Sequence, residues 1–209
     1  MEYKYYIFDF DNTLCDSSAA SKLTYQRVFN HFDIVLNSNN IDIYLSESLE
    51  ETYRSLGKVK ATLKEFVEYY FNISDEIIVN RAAIYPEVFM LLNTIHVLGK
   101  KAAIVTSKNR STIMCILRKF EIEDQFSSII CYEDVENHKP HPEGILLCLD
   151  KLRVTCPEQA VYIGDSINDM KAARASGVNF IGVRGIFTRI EGVTLASLRE
   201  IRMQLLMNH

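Results

Sequence analysis

The chain opens on an apolar run, Tyr5-Tyr6-Ile7-Phe8, which ends on Asp9-Phe10-Asp11 and turns at Asn12-Thr13. A short apolar run closed by turn residues predicts a buried strand. Asp16-Ser17-Ser18 supplies helix-capping chemistry, and Leu23, Val28 and Phe29 recur at roughly helical spacing, which predicts a helix over 18–31. Leu36 to Asn40 is polar and turn-like. Helical patterns follow over 41–55, 60–71 and 74–83, with no convincing strand among them. Pro86 suits the first position of a helix whose stripe of Val88, Leu91, Leu92 and Ile95 ends at Gly99. The periodicity then becomes strand-like over Lys101 to Thr106. A helix carrying Ile113, Ile116, Leu117 and Phe120 comes next, and Phe126 to Cys131 reads as a third strand. Lys139-Pro140-His141-Pro142 is expected to open a helix with Ile145, Leu146, Leu149 and Leu152 on its inner face. Ala160 to Ile163 forms the fourth strand, and a helix over 167–175 stops at Gly177. Val178 to Val183 is the fifth strand, and a last amphipathic helix occupies 194–207.

Strands alternating with helices imply right-handed crossovers and a doubly wound α/β core, with a mostly parallel five-stranded sheet covered on both faces. Ligands of such sheets bind beyond the carboxyl ends of the strands, where this chain carries Asp9, Thr106 and Asp165. The helical stretch interrupts the alternation. It divides the chain into a core of residues 1–15 and 84–209 and a helical insertion of residues 16–83. Leu14 to Ser17 and Ala83 to Pro86 would form the hinge between them.

At 209 residues and 48% hydrophobic content, the chain is long enough for one large domain or a domain with an insertion. A formal net charge of −4 offers no basic footprint for nucleic acid or an anionic membrane, so a small-molecule substrate is expected. Met1 leads almost directly into the first strand, so no signal peptide is expected. No apolar run approaches the roughly 20 residues of a membrane span. A cytoplasmic location is the expectation. Five cysteines, odd in number and without a C-x-x-C pair, read as reduced packing residues.

Two carboxylates one residue apart at the end of a buried strand call for a cation, because a strand interior rarely accepts charge without a partner. The plainer alternative is a strand end with solvated aspartates. The stretch Asp9-x-Asp11-x-Thr13 resembles the first motif of the haloacid dehalogenase superfamily of phosphotransferases. Thr106, with Ser107 as its nearby competitor, is similar to the second motif, and Lys139 in Lys-Pro-x-Pro to the third. Gly164-Asp165-Ser166-Ile167-Asn168-Asp169 is similar to the fourth. Alone, a strand-end Thr is also a cap and a Lys before Pro a solvated loop charge; four motifs in order on successive strand ends weigh together. The resemblance runs over essentially the whole chain. Its helical cap directly after the first motif points to phosphoglycolate-phosphatase-like members with a C1 cap. Glu87 and Glu143 depart from the usual residues at their positions, outside the reacting centre.

The resemblance implies a phosphatase acting on a small phosphorylated metabolite such as phosphoglycolate, a sugar phosphate, a nucleotide or pyrophosphate. Asp9 would be the nucleophile that forms an aspartyl-phosphate, and Asp11 the general acid and base. Thr106 and Lys139 would contact the phosphoryl group. Mg2+ would be held by the Asp9 and Asp165 carboxylates and the Asp11 backbone carbonyl, with Asp169 orienting from outside. Asp11 argues against dehalogenase and phosphonatase chemistry, and Asn12-Thr13 and Ser21 against a β-phosphoglucomutase. The mutase is the enzyme alternative, and a non-catalytic module binding a phosphometabolite the alternative of another class. His138 and His141 lack partners at metal-ligand spacing. Substrate choice is assigned to the insertion, where Arg54, Lys58 and Lys60 surround Gly57 in an expected inter-helix turn. These three also read as solvated surface charges. A monomer or homodimer is expected.

Overall fold

The structure, a computed structural model, describes residues 3–35, 41–45, 47–183 and 194–207; the polar stretch 36–40 lies outside them. The chain forms two compact units, one built from the segment up to Asp16 and from Ile84 onward, the other from Ser17–Ala83. The strands are β1 (Tyr5–Phe8), β2 (Cys15–Asp16), β3 (Ala83–Ile84) and β4 (Lys101–Val105), then β5 (Phe126–Ile130), β6 (Ala160–Gly164), β7 (Asn179–Gly182) and β8 (Thr194–Leu195). Six form one sheet in the order β5-β4-β1-β6-β7-β8, with every neighbouring pair parallel. The short β2 and β3 pair separately. Five strands of the large sheet are those the hydrophobic pattern predicts, and the two-residue β8 extends it where a helix start was expected. Phe8 stands level with Ile104 on one side and Ile163 on the other, so β4, β1 and β6 end along one edge.

The helical unit contains α1 (Ser18–His31), α2 (Ile41–Tyr44), α3 (Leu49–Ser55) and α4 (Leu63–Arg81). The pattern over 41–55 is not one helix. Ser48 starts α3 afresh, its side chain accepting from the Glu51 N–H while Glu51 accepts from the Ser48 N–H. Conversely, the two helices expected over 60–71 and 74–83 are one. Thr62 and Glu65 form the capping box that opens α4, and buried Phe66, Tyr70, Ile77 and Ile78 continue a single face through Asn72 to Ser74. Tyr25, Val28, Phe29, Ile41, Leu49, Phe66 and Tyr70 make this unit's apolar core.

The remaining helices are α5 (Pro86–Val97), α6 (Arg110–Lys119), α7 (Glu143–Leu152), α8 (Ile167–Ala175) and α9 (Leu198–Met207). Ile7, Ala103, Val105, Ile130 and Tyr162 of the sheet pack with Ile145, Cys148, Leu149 and Leu152 of α7 and Ala172 and Ala173 of α8. The alternate strand residues Phe8, Ile104 and Ile163 are fully buried as well, so both faces of the sheet are covered. Two expectations are corrected here. Leu146 is 47% exposed, because the inner stripe of α7 runs through 145, 148, 149 and 152 and includes Cys148 in its place. The helix also begins at Glu143 and not at Lys139: the Glu143 carboxylate accepts from the Glu136 and Asn137 N–H groups and holds the preceding segment as a loop. At the other end of the chain, Ser197 and Glu200 cap α9, which sets its start at Leu198.

Candidate active site

Three strand ends supply the site. Asp9 is the first residue beyond β1, and its N–H still donates to the Ile163 carbonyl at 2.8 Å; the Thr106 N–H likewise donates to Ile130 at 3.0 Å. Both residues are therefore held by continuation of the sheet ladder. Asp165 follows Gly164, the last residue of β6. Beyond Asp9 the chain reverses: the Leu14 and Cys15 N–H groups both donate to the Phe10 carbonyl at 3.0 Å. Asn12 takes a φ of 54°, a left-handed conformation that Asn tolerates better than most residues.

Lys139 reaches this edge from the loop before α7. Its Nζ donates to Asp9 Oδ1 at 2.6 Å, to Asp169 Oδ1 at 2.7 Å and to the Tyr162 hydroxyl at 3.3 Å. Asp169 sits in the first turn of α8, where its Oδ2 accepts from the Ser166 N–H at 3.0 Å and from the Ser166 hydroxyl at 2.6 Å. The Asp169 N–H returns a bond to Ser166 Oγ. The Tyr162 hydroxyl lies 3.0 Å from the Val105 carbonyl and 3.2 Å from Asp169 Oδ1. Both oxygens of Asp169 are thus engaged by protein donors. Gly164 makes room for this carboxylate, since a Cβ there would stand 2.7 Å from Asp169 Cβ and Cγ.

Burial pushes the Asp9 carboxyl up to about 7; Lys139 opposes the rise, and Asp169 and Asp11 add to it. Burial raises Asp165 to about 8, with further repulsion from Asp9 and Asp169. Although burial acts to lower it, Lys139 is held well above the ordinary lysine value by Asp169 and Asp9. Ligand atoms of Asp9, Asp165 and Asp169 lie within 4.8 Å of one another. When ionised, these carboxylates outnumber the one ammonium among them, which leaves excess negative charge. Because Asp169 is already satisfied, the oxygens of Asp9 and Asp165 remain as hard donors, a set that fits Mg2+.

Thr106 is buried and Ser107 exposed. The Lys108 N–H donates to Thr106 Oγ1 at 3.2 Å. The sequence reading passed over Lys108, whose side chain is only 7% exposed and whose Nζ lies 3.1 Å from Asp11 Oδ1. Its position two residues past Thr106, at the end of β4, was the available signal. Arg54 and Lys58 are exposed residues of the helical unit near Gly57, which has a φ of 75°; Lys60 reaches Asp33 at 3.5 Å. His138 stacks on Tyr132 with ring centroids 3.9 Å apart, and His141 lies 3.9 Å from Glu143. Among the described residues the aspartates, not these histidines, form the group able to hold a metal. None of the five cysteines is in a disulfide. Cys15, Cys131 and Cys148 are buried as packing residues, whereas Cys115 is exposed. Burial pushes the Cys131 and Cys148 thiols up to about 12, which leaves them unreactive. Among the described residues no helix is long and apolar enough to cross a membrane.

Residues 6–183 match the haloacid dehalogenase-like hydrolase family, and the chain belongs to it. Phosphoglycolate phosphatase of Salmonella paratyphi A is 33% identical over 148 residues, which cover 71% of this chain and 57% of that protein. This chain therefore spans little more than half the length of that curated relative. Pyrophosphatase PpaX of Oceanobacillus iheyensis is 27% identical over 85% of this chain and 81% of its own length. A Bacteroides fragilis protein described as a haloacid dehalogenase-like hydrolase has a solved structure that superposes with a TM-score of 0.86. It is 31% identical and covers 96% of this chain and 100% of the other.

Proposed function

We propose that this protein is a Mg2+-dependent phosphatase that hydrolyses a small phosphorylated metabolite through an aspartyl-phosphate on Asp9. The observation that carries the reading is Asp9 itself: a buried carboxylate at a strand end, bonded to Lys139 and crowded by Asp165. The names of the relatives, phosphoglycolate phosphatase and pyrophosphatase, support phosphoglycolate or a pyrophosphate-like compound as substrate.

An Asp9 carboxylate oxygen would attack phosphorus while the bond to the leaving oxygen breaks and Asp11 gives that oxygen a proton. Water would then attack the aspartyl-phosphate, passing its proton to Asp11 as phosphate departs. Thr106 Oγ1 accepts from Lys108, which leaves its own O–H to donate to a phosphoryl oxygen. Lys139 offsets charge on Asp9 and the phosphoryl group. Mg2+ would be held by the Asp9 and Asp165 carboxylates and the Asp11 carbonyl, and when bound it supplies the positive charge that lets two anions meet. Residues 16–83 would act as a cap that chooses the leaving group.

The test is phosphate release from phosphoglycolate, pyrophosphate, sugar phosphates, nucleoside monophosphates and p-nitrophenyl phosphate, with Mg2+ or with EDTA. Release that requires Mg2+ and disappears in folded Asp9→Asn is expected. Turnover by Asp9→Asn at the normal rate would overturn the covalent assignment, and transfer of phosphate within a sugar phosphate without release would favour a mutase.

A further inference from the structure

We propose that Lys108 is a positioning residue for Asp11, holding its carboxyl group in the orientation from which it protonates the leaving oxygen. The inference rests on the phosphatase reading above and deepens it. Lysine is almost never buried without a partner. The Lys108 side chain is 7% exposed and its Nζ lies 3.1 Å from Asp11 Oδ1, while the Asp11 side chain is 32% exposed. A partly open carboxylate on a reversing turn thus meets an ammonium anchored in the protein.

The anchor is rigid at both ends. The Lys108 N–H donates to Thr106 Oγ1 at 3.2 Å, and its carbonyl accepts from the Tyr132 N–H at 2.8 Å. The next residue, Asn109, caps α6 by accepting from the Thr112 N–H. The turn that presents the Thr106 hydroxyl therefore also fixes the base of Lys108. The two lysines divide the carboxylates: Lys139 engages Asp9 and Asp169, and Lys108 engages Asp11. In the first step the proton moves from the Asp11 carboxyl to the ester oxygen as the P–O bond breaks and the Asp9–phosphorus bond forms. Lys108 keeps its own proton throughout. A group misplaced by about an ångström can cost on the order of 100-fold in rate, so a fixed contact at this point matters to the transfer.

Leaving-group dependence separates positioning from mere structure. An alkoxide needs protonation as it leaves, whereas p-nitrophenolate does not, and kcat/KM reports the step in which the leaving group departs. Wild type, Lys108→Met, Asp11→Ala and the double variant are compared on p-nitrophenyl phosphate and on the alkyl phosphates of the panel. Lys108→Met is expected to lose at least about tenfold more kcat/KM on alkyl phosphates than on p-nitrophenyl phosphate, within the roughly 10² to 10⁴ that general acid catalysis supplies. In the Asp11→Ala background that difference should shrink below about twofold, because one interaction cannot be lost twice. Lys108→Arg, which keeps the charge, should recover part of the alkyl-phosphate activity. Equal losses on both substrates, or an undiminished effect in the Asp11→Ala background, overturn the proposal. Should Lys108→Met not fold, Lys108→Gln is read by the same two criteria. A wild type that releases phosphate from no substrate overturns the phosphatase reading itself, an outcome distinct from equal losses in an active enzyme.

Discussion

Asp9 and Asp165 are carboxyls that the fold drives toward their neutral forms, up to about 7 and about 8 from an ordinary 3.8. Folding therefore takes up protons at these groups. The stability they contribute is fully present below about pH 4 and is lost as pH rises through 7 to 8. The metal-free protein is thus expected to melt at progressively lower temperature from pH 6 to pH 8.5. Mg2+ should flatten that decline, since a cation favours the ionised carboxylates, and its own affinity should rise over the same range. Thermal unfolding against pH in EDTA and in Mg2+ checks this; identical slopes in the two series would place the cation elsewhere. Lys139 faces Asp9 and Asp169 at salt-bridge distance. Replacing it with Ala should lower kcat by something like the 10² to 10³ seen when one preorganised donor is removed.

The element that organises the site is the turn between β6 and α8. The Ser166 and Asp169 capping box begins the helix and, in the same act, aims Asp169 Oδ1 at Lys139. Gly164 is required because Asp169 fills the space a Cβ would occupy. Gly164→Ala should therefore destabilise the protein by about 1–3 kcal/mol, as overpacking typically does, and should also reduce turnover by displacing the carboxylate that steadies Lys139. Gly99 gives the contrast. Its φ of 65° strains any Ala there, but a Cβ meets nothing within 4 Å, so Gly99→Ala should lose stability and keep kcat. Urea unfolding with phosphate release separates the two cases. The helix boundaries tell how far local signals reach. The box at Ser48 and Glu51 was present in the sequence, yet the periodicity over 41–55 ran across it. At Asn72 to Ser74 the polar residues suggested a break, and tertiary burial of Ile77 and Ile78 on the same face as Phe66 carried the helix through.

For the molecule as a whole, the proposed function assigns chemistry and selectivity to different parts of the chain. Asp9, Asp11, Thr106, Lys108, Lys139, Asp165 and Asp169 all belong to the unit that holds the large sheet, and their polar groups suit the phosphoryl group and cation that every phosphate ester shares. Discrimination among esters is assigned to the helical unit. Arg54→Ala and Lys58→Ala should accordingly change the ranking of substrates by kcat/KM, whereas a uniform effect or none would place specificity elsewhere. Lys60 is expected to matter less to stability than its ion pair suggests, because it and Asp33 are about four-fifths exposed.

What the sequence determined by itself was mostly short in range. The apolar run ending at Asp9, the five strands and the continuation of strands into Thr106 and Asp165 are all properties of a few consecutive residues. Resemblance to a family extended this to an expected role for Lys139. The tertiary structure decided which groups meet. Lys139 and Asp9 are 130 residues apart, and Lys108 finds Asp11 because the sheet order sets β4 beside β1 with their ends level. Leu146 turned outward and Cys148 inward for the same reason, since a helix face is chosen by what it packs on and not by hydrophobicity alone. Contacts of this kind depend on how distant segments are brought together, and neither periodicity nor propensity, which act over a few residues, carries that information.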